Sequence, residues 1–157
     1  MKKIKLTELL IFIVSAELAG ALSGLIAGNF SGFYQTLIKP PLSPPSWIFP
    51  IVWSILYALM GISAFLIYSA DSPDKNKKIP YLIYTAQLFV NFMWSIIFFR
   101  FKLLSASVAV IILLIILIVA MIVSFHKIRP AAAYINIPYL LWVAFAAYLN
   151  IGIAVLN

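Results

Sequence analysis

The chain has 157 residues, 65% hydrophobic and 10% charged, with a mean hydropathy of +1.11 and a net charge of +7. A soluble domain carries about 25% charged residues, so the composition excludes an ordinary soluble globule, a disordered chain and a nucleic-acid-binding domain. One membrane span needs about 20 apolar residues, so the apolar content allows at most five spans, joined mostly by short loops.

The first apolar run covers residues 6–28 and is interrupted by Glu8, Glu17 and small polar residues. It follows a basic start, but a signal-peptide core extends only about 7–15 residues. The run is longer than that and reads as an uncleaved span. Residues 29–46 form a polar connection containing Pro40, Pro41, Pro44 and Pro45. Proline is excluded from helix interiors and pushes the preceding residue toward extended geometry. A stiff, folded lid loop is therefore expected. Ser46 is placed to cap the next helix, with Pro50 in its first turn, where a missing N–H costs nothing.

The second span is expected over 47–70, and a charged turn follows it. Pro80 opens a third span over 80–99, and Arg100 to Lys102 make a tight turn. The fourth span, 103–125, is the most aliphatic. The fifth, 131–156, carries Pro138 near its start, where a kink is expected. The reading is an all-α membrane protein, a five-transmembrane-helix bundle forming one domain over 1–157. Eight Lys and Arg fall on the side of the N-terminus and three on the other. The basic side of a polytopic protein faces the cytoplasm, so the N-terminus is expected inside and the proline-rich loop outside, in a bacterial cell membrane.

Chemistry is scarce. Without cysteine and with His126 as the lone histidine, there is no disulfide framework, no thiol nucleophile and no metal-ligand set. No glycine-rich phosphate loop or Ser/His/Asp set occurs. Gln87, Asn91 and Ser95 share one face of the third span. Amides in hydrocarbon need partners, so this face points inward, as an inter-helix seam or as a polar cavity wall. Trp53, Tyr57, Met60, Gly61 and Ala64 share a face of the second span. Trp142, Phe145, Ala146, Leu149 and Asn150 share one of the fifth. Interfacial anchors would stand at helix ends, whereas Trp142 is near mid-span. These faces read either as core packing or as walls for a flat aromatic ligand between spans two, three and five. Glu17 is an intramembrane acid, expected to be protonated or bonded to Ser15, Gln87 or another polar group. Gly20, Gly24 and Gly28 form a ridge that suits close helix approach.

The spacing Pro44-Pro45-x-Trp47, then Trp53, Tyr57, Met60 and Gly61, resembles the signature of the TspO/MBR family, the tryptophan-rich sensory and translocator proteins. The resemblance continues through Tyr84, Gln87, Asn91, Trp94, Phe98 and Phe99, through His126 and Pro130, and through Pro138, Tyr139, Trp142, Phe145, Ala146, Leu149 and Asn150. Together with Tyr34, Lys39 and Pro40 it covers nearly the whole chain. It implies an integral membrane protein that binds porphyrins such as protoporphyrin IX as ligands, and isoquinoline carboxamides and benzodiazepines. It needs no cofactor or metal and is expected to be a homodimer in the lipid bilayer. The implied pocket lies among helices one, two, three and five under the first loop. Its implied residues are Tyr34, Trp53, Tyr57, Asn91, Trp94, Trp142, Ala146 and Leu149, with Gln87 from the polar face above. Sensing or regulating porphyrin levels is the leading reading. Light-dependent porphyrin breakdown, with Trp53 and Trp142 as catalytic residues, and transport of porphyrin or lipid are the alternatives. Leu42 stands where the family often has an aromatic. Tyr148 is not followed by the basic residue of the cholesterol-recognition pattern found in animal members.

Overall fold

A computed structural model describes residues 5–72 and 76–157. Lys2, Lys3 and Lys75, which contribute to the charge asymmetry, lie outside the described residues. Every regular element within them is helical: α1 (Leu6–Ala27), α2 (Phe30–Thr36), α3 (Ile48–Tyr68), α4 (Lys78–Ser95) continued by a π-helical turn (Ile96–Arg100), α5 (Leu104–Ile128), α6 (Pro130–Tyr134) and α7 (Ile137–Leu156). Five helical segments, α1, α3, α4 with its π turn, α5, and α6 with α7, are long and apolar enough to cross a membrane. The fold is the expected five-span helical bundle.

The helices close into a ring. α1 packs on α3 and α4, α4 on α5, and α5 on α6 and α7. The ring is completed by α3 against α6 and by the Trp53–Tyr139 and Phe49–Trp142 ring contacts. Lipid tails are as apolar as leucine, so close packing and inter-helix hydrogen bonds hold such a bundle. That is why α1 buries only Ala16, Ser23 and Ala27 and still belongs to it. Ser23 donates to the Phe92 carbonyl of α4 at 3.0 Å. The Trp94 indole N–H donates to Asn150 Oδ1 at 2.9 Å, and the Asn150 amide donates to Ser107 at 2.9 Å, which ties α4, α7 and α5 together. Lys77 Nζ donates to the Tyr68 and Ala70 carbonyls at the end of α3. A cation there satisfies orphan carbonyls and the negative end of the helix dipole.

Four local features differ from the sequence reading. The connection 29–46 is not all loop: Asn29 accepts from the Gly32 N–H at 3.0 Å and caps the short helix α2. Ser46 does not cap α3; its hydroxyl pairs with that of Ser31 at 2.8 Å. The fifth span is divided rather than merely kinked. Pro138 has no N–H for the Tyr134 carbonyl, so the helix breaks at Ile135 and Asn136 and restarts with Pro138 in its first turn. The break is filled by polar groups: the Asn136 amide donates to Ser63 Oγ and to the Ala132 carbonyl, and Ser63 donates to the same carbonyl at 2.7 Å.

The glycine ridge is the fourth. Gly24 and Gly28 have nothing within 4 Å of where a Cβ would stand, while a Cβ on Gly20 would fall on the Tyr57 ring. The close helix approach is made instead by Gly61, whose Cβ position lies 2.6 Å from Ile13 Cα and 2.7 Å from the Phe12 carbonyl of α1. Gly28 ends α1 with φ of +82°, a conformation that side chains disfavour.

Candidate functional site: a cavity between α1, α3 and α4

A cavity of about 330 Å³ opens between α1, α3 and α4. Small residues at helical spacing on α1, Gly20, Ala21, Gly24 and Ala27, leave the space empty. Trp53 and Tyr57 from α3 and Trp94 and Phe99 from α4 and its π turn give it flat walls. Phe30 and Phe49 stand at its outer end, and Asn91, Ser95, Ser54 and Glu17 supply polar groups. The π turn carries Phe99 to the wall: the Phe101 and Leu103 amides bond back to Ile96 and Ile97 at 3.0 and 3.1 Å. Such turns are frequent at functional sites.

The rings are packed against one another rather than isolated. Trp53 lies 5.8 Å from Tyr57 and 6.4 Å from Trp94 between centroids, and Trp94 lies 6.1 Å from Phe99. Behind them sits a buried polar chain. The Tyr57 hydroxyl donates to Asn91 Oδ1 at 3.4 Å, the Asn91 amide donates to the Tyr139 hydroxyl at 2.9 Å, and that hydroxyl donates to Gln87 Oε1 at 2.7 Å. Gln87 and Tyr139 are fully buried and Asn91 is 2% exposed. The chain therefore fixes Asn91 and Tyr57 at the cavity wall from behind.

The nine residues expected at a ligand site do not fall in one place. Trp53, Tyr57, Asn91 and Trp94 line this cavity. Gln87 is behind it. Ala146 and Leu149 are buried on α7, away from the cavity lining. Trp142 lines a separate, wholly apolar groove with Val52, Ile55, Leu56, Leu59, Pro138, Leu141 and Phe145, open to the outside between α3 and α7. Its indole N–H is buried without an acceptor. Of the two tryptophans considered for photochemistry, Trp53 faces the cavity and Trp142 the groove. Tyr34 lies above, its hydroxyl donating to the Pro44 carbonyl at 2.8 Å and its ring packed on Phe49. Burial pushes that hydroxyl's pKa upward, so it stays protonated and keeps donating. The cavity thus lies between the first, second and third spans, whereas side-chain spacing pointed between the second, third and fifth.

The loop above is held at several points. Lys39 Nζ donates to the Tyr34 and Leu37 carbonyls and lies 4.9 Å from the Tyr34 ring centroid. From α7, Tyr148 donates to the Pro41 carbonyl at 2.8 Å, and the Asn157 side chain both accepts from and donates to the Ile38 backbone. Leu42, in the family's aromatic position, is exposed with φ of +68°, and so does not reach over the cavity.

Glu17 meets another polar group rather than Ser15 or Gln87. Ser15 donates to the Phe12 carbonyl and Gln87 to Met60 Sδ. The group that meets Glu17 is Ser54 of α3, whose hydroxyl is 3.4 Å from both carboxylate oxygens. Glu17, Ser54, Gly24, Phe30, Phe49 and Phe99 were missed as a set. The small-residue stripe of α1 was the signal, and it read equally well as a packing ridge.

Five apolar spans, three of them walling an aromatic-lined cavity of about 330 Å³, define a polytopic membrane protein; ligand pockets begin at about 300 Å³. The TspO/MBR family matches residues 11–156, and the chain belongs to that family. It is 36% identical over 127 residues to the tryptophan-rich protein TspO of Chlorobaculum tepidum, covering 81% of this chain and 80% of that one. It is 32% identical over 143 residues to the translocator protein of Bos taurus, covering 87% and 85%. It is 30% identical over 158 residues to the tryptophan-rich protein TspO of Archaeoglobus fulgidus, covering 100% and 99%.

Proposed function

We propose that this protein binds flat aromatic ligands from the bilayer, tetrapyrroles such as protoporphyrin IX foremost, in the cavity between α1, α3 and α4, and that it senses or regulates their level. The observation that carries this reading is the cavity itself. Its walls are the faces and edges of Trp53, Tyr57, Trp94 and Phe99 opposite a glycine and alanine stripe, with the Asn91 amide held in place at the wall. A ring system slides between rigid aromatic walls with little ordering of side chains, because the aromatic contacts and the polar chain are already made. Isoquinoline carboxamide ligands fit the same chemistry, as a flat body with one amide to meet Asn91. The proposed orientation puts the N-terminus in the cytoplasm and the loop over the cavity outside, following the basic bias of the loops.

The test is a titration of the purified full-length protein in detergent with protoporphyrin IX, reading tryptophan quenching. Saturable quenching that an isoquinoline carboxamide reverses is expected. Quenching that rises without saturation, as in protein-free micelles, would refute the reading.

A further inference from the structure

The polar groups of the cavity are not distributed evenly along it. α3 runs opposite to α1, and α4 runs parallel to α1, with Ser23 beside Phe92 and Ile26 beside Arg100. Ala27, Phe30, Phe49 and Phe99 therefore mark the end under the loop, while Glu17, Ser54, Tyr57 and Asn91 lie deeper. Glu17 precedes Ala27 by ten residues, about 15 Å along a helix. No Lys or Arg lines the cavity among the described residues. The cations stand at the loop end instead. Arg100 donates to the Ile26 carbonyl, next to Ala27, and Lys102 lies 5.0 Å from the ring centroid of Phe33, which packs on Phe99.

Glu17 itself is under-partnered for a carboxyl in a membrane. A carboxylate has acceptor sites for about four hydrogen bonds. Ser54 offers one hydroxyl proton, shared between two oxygens at 3.4 Å each. Ser54 is exposed and Glu17 half-buried, so the pair sits where the cavity opens sideways between α1 and α3. A carboxyl at that depth is costly to maintain, and such residues mark sites of function.

We propose that Glu17, positioned by Ser54, reads a hydrogen-bond donor on the ligand. The site would then prefer an aromatic molecule bearing a protonated nitrogen (an amine, amidine or protonated aza-aromatic ring) and would direct any ligand carboxylate toward Arg100 and Lys102. The chemistry is a charge-assisted hydrogen bond, stronger than its neutral counterpart. Repulsion of an anion at the same place supplies the discrimination. The inference rests on the reading that this cavity holds an aromatic ligand.

Two probes with the same ring system and opposite charge separate the possibilities: 9-aminoacridine, a cation at neutral pH, and acridine-9-carboxylate. Wild-type protein in detergent is expected to bind the cation on the order of tenfold more tightly, and Glu17→Gln to bring the two affinities close together by weakening the cation. The second measurement needs no variant. In wild-type protein, 9-aminoacridine should protect Glu17 from dicyclohexylcarbodiimide, followed by peptide mass, and acridine-9-carboxylate should not. An unchanged affinity ratio in Glu17→Gln, or equal labelling of Glu17 with both probes, overturns the role of Glu17 and leaves the cavity reading standing. Failure of either probe to bind, together with failure of protoporphyrin IX, overturns both.

Discussion

Gly24 offers a way to fill the cavity without disturbing the bundle. An ordinary ridge glycine would make Gly24→Ile a wedge between helices, with the loss of about 1–3 kcal/mol typical of overpacking. Here nothing lies within 4 Å of the Gly24 Cβ position, and the residue faces the cavity. The folded state should therefore accept isoleucine. Replacing a helical glycine recovers roughly 0.5 kcal/mol of helix propensity, since glycine costs about 0.8–1 relative to alanine and isoleucine about half of that. The branched side chain then occupies space opposite Trp53 and Trp94 that a ring would need. Losing the wall contact of one aromatic ring costs about 1.5–3 kcal/mol, a tenfold or greater loss of affinity. Thermal unfolding in detergent and protoporphyrin titration on the same preparation check both halves. A melting temperature equal to or slightly above wild type with binding weakened at least tenfold is expected. A clearly lowered melting temperature would show that α1 packs through Gly24 after all, and unchanged binding would show that the ligand lies elsewhere.

Three further outcomes follow from particular contacts. Gly61→Ala should lower stability by about 1–3 kcal/mol, because the added carbon meets the α1 backbone at Ile13 and Phe12 rather than a movable side chain; a thermal scan equal to wild type would contradict that contact. Tyr139→Phe removes one hydroxyl that serves both Asn91 and Gln87. At about 0.6–1.7 kcal/mol per bond within a membrane, it should cost about 1–3 kcal/mol and weaken ligand binding by freeing Asn91, whereas unchanged stability and binding would show the chain to be dispensable. Reporter fusions should place the N-terminus inside and the C-terminus outside; a cytoplasmic C-terminus would refute the orientation.

The spans were legible because a bilayer imposes length and hydropathy on each of them, and the inward face of α4 because buried amides must find partners. The interior of the site was less so. A stripe of small residues on α1 specifies a surface that something approaches, and whether a helix or a void meets it depends on where α3 and α4 fall. Aromatic residues at helical spacing on α7 gave the same signal as those on α3, yet Trp142 turned to an outer groove while Trp53 faced the cavity. The π turn after Ser95 carries no composition mark, and it sets where Phe99 points. The break before α7 was visible in Pro138, but its filling by Asn136 and Ser63 joins residues 73 positions apart and could not be read from either one.

Porphyrin affinity in Trp53→Ala and Trp142→Ala tests the central claim most directly, since the two tryptophans line different spaces. Measured by protoporphyrin fluorescence, Trp53→Ala should bind at least tenfold more weakly than wild type, and Trp142→Ala should stay within a few-fold. The reverse order, with affinity lost in Trp142→Ala and kept in Trp53→Ala, would place the ligand in the groove between α3 and α7 and contradict the account.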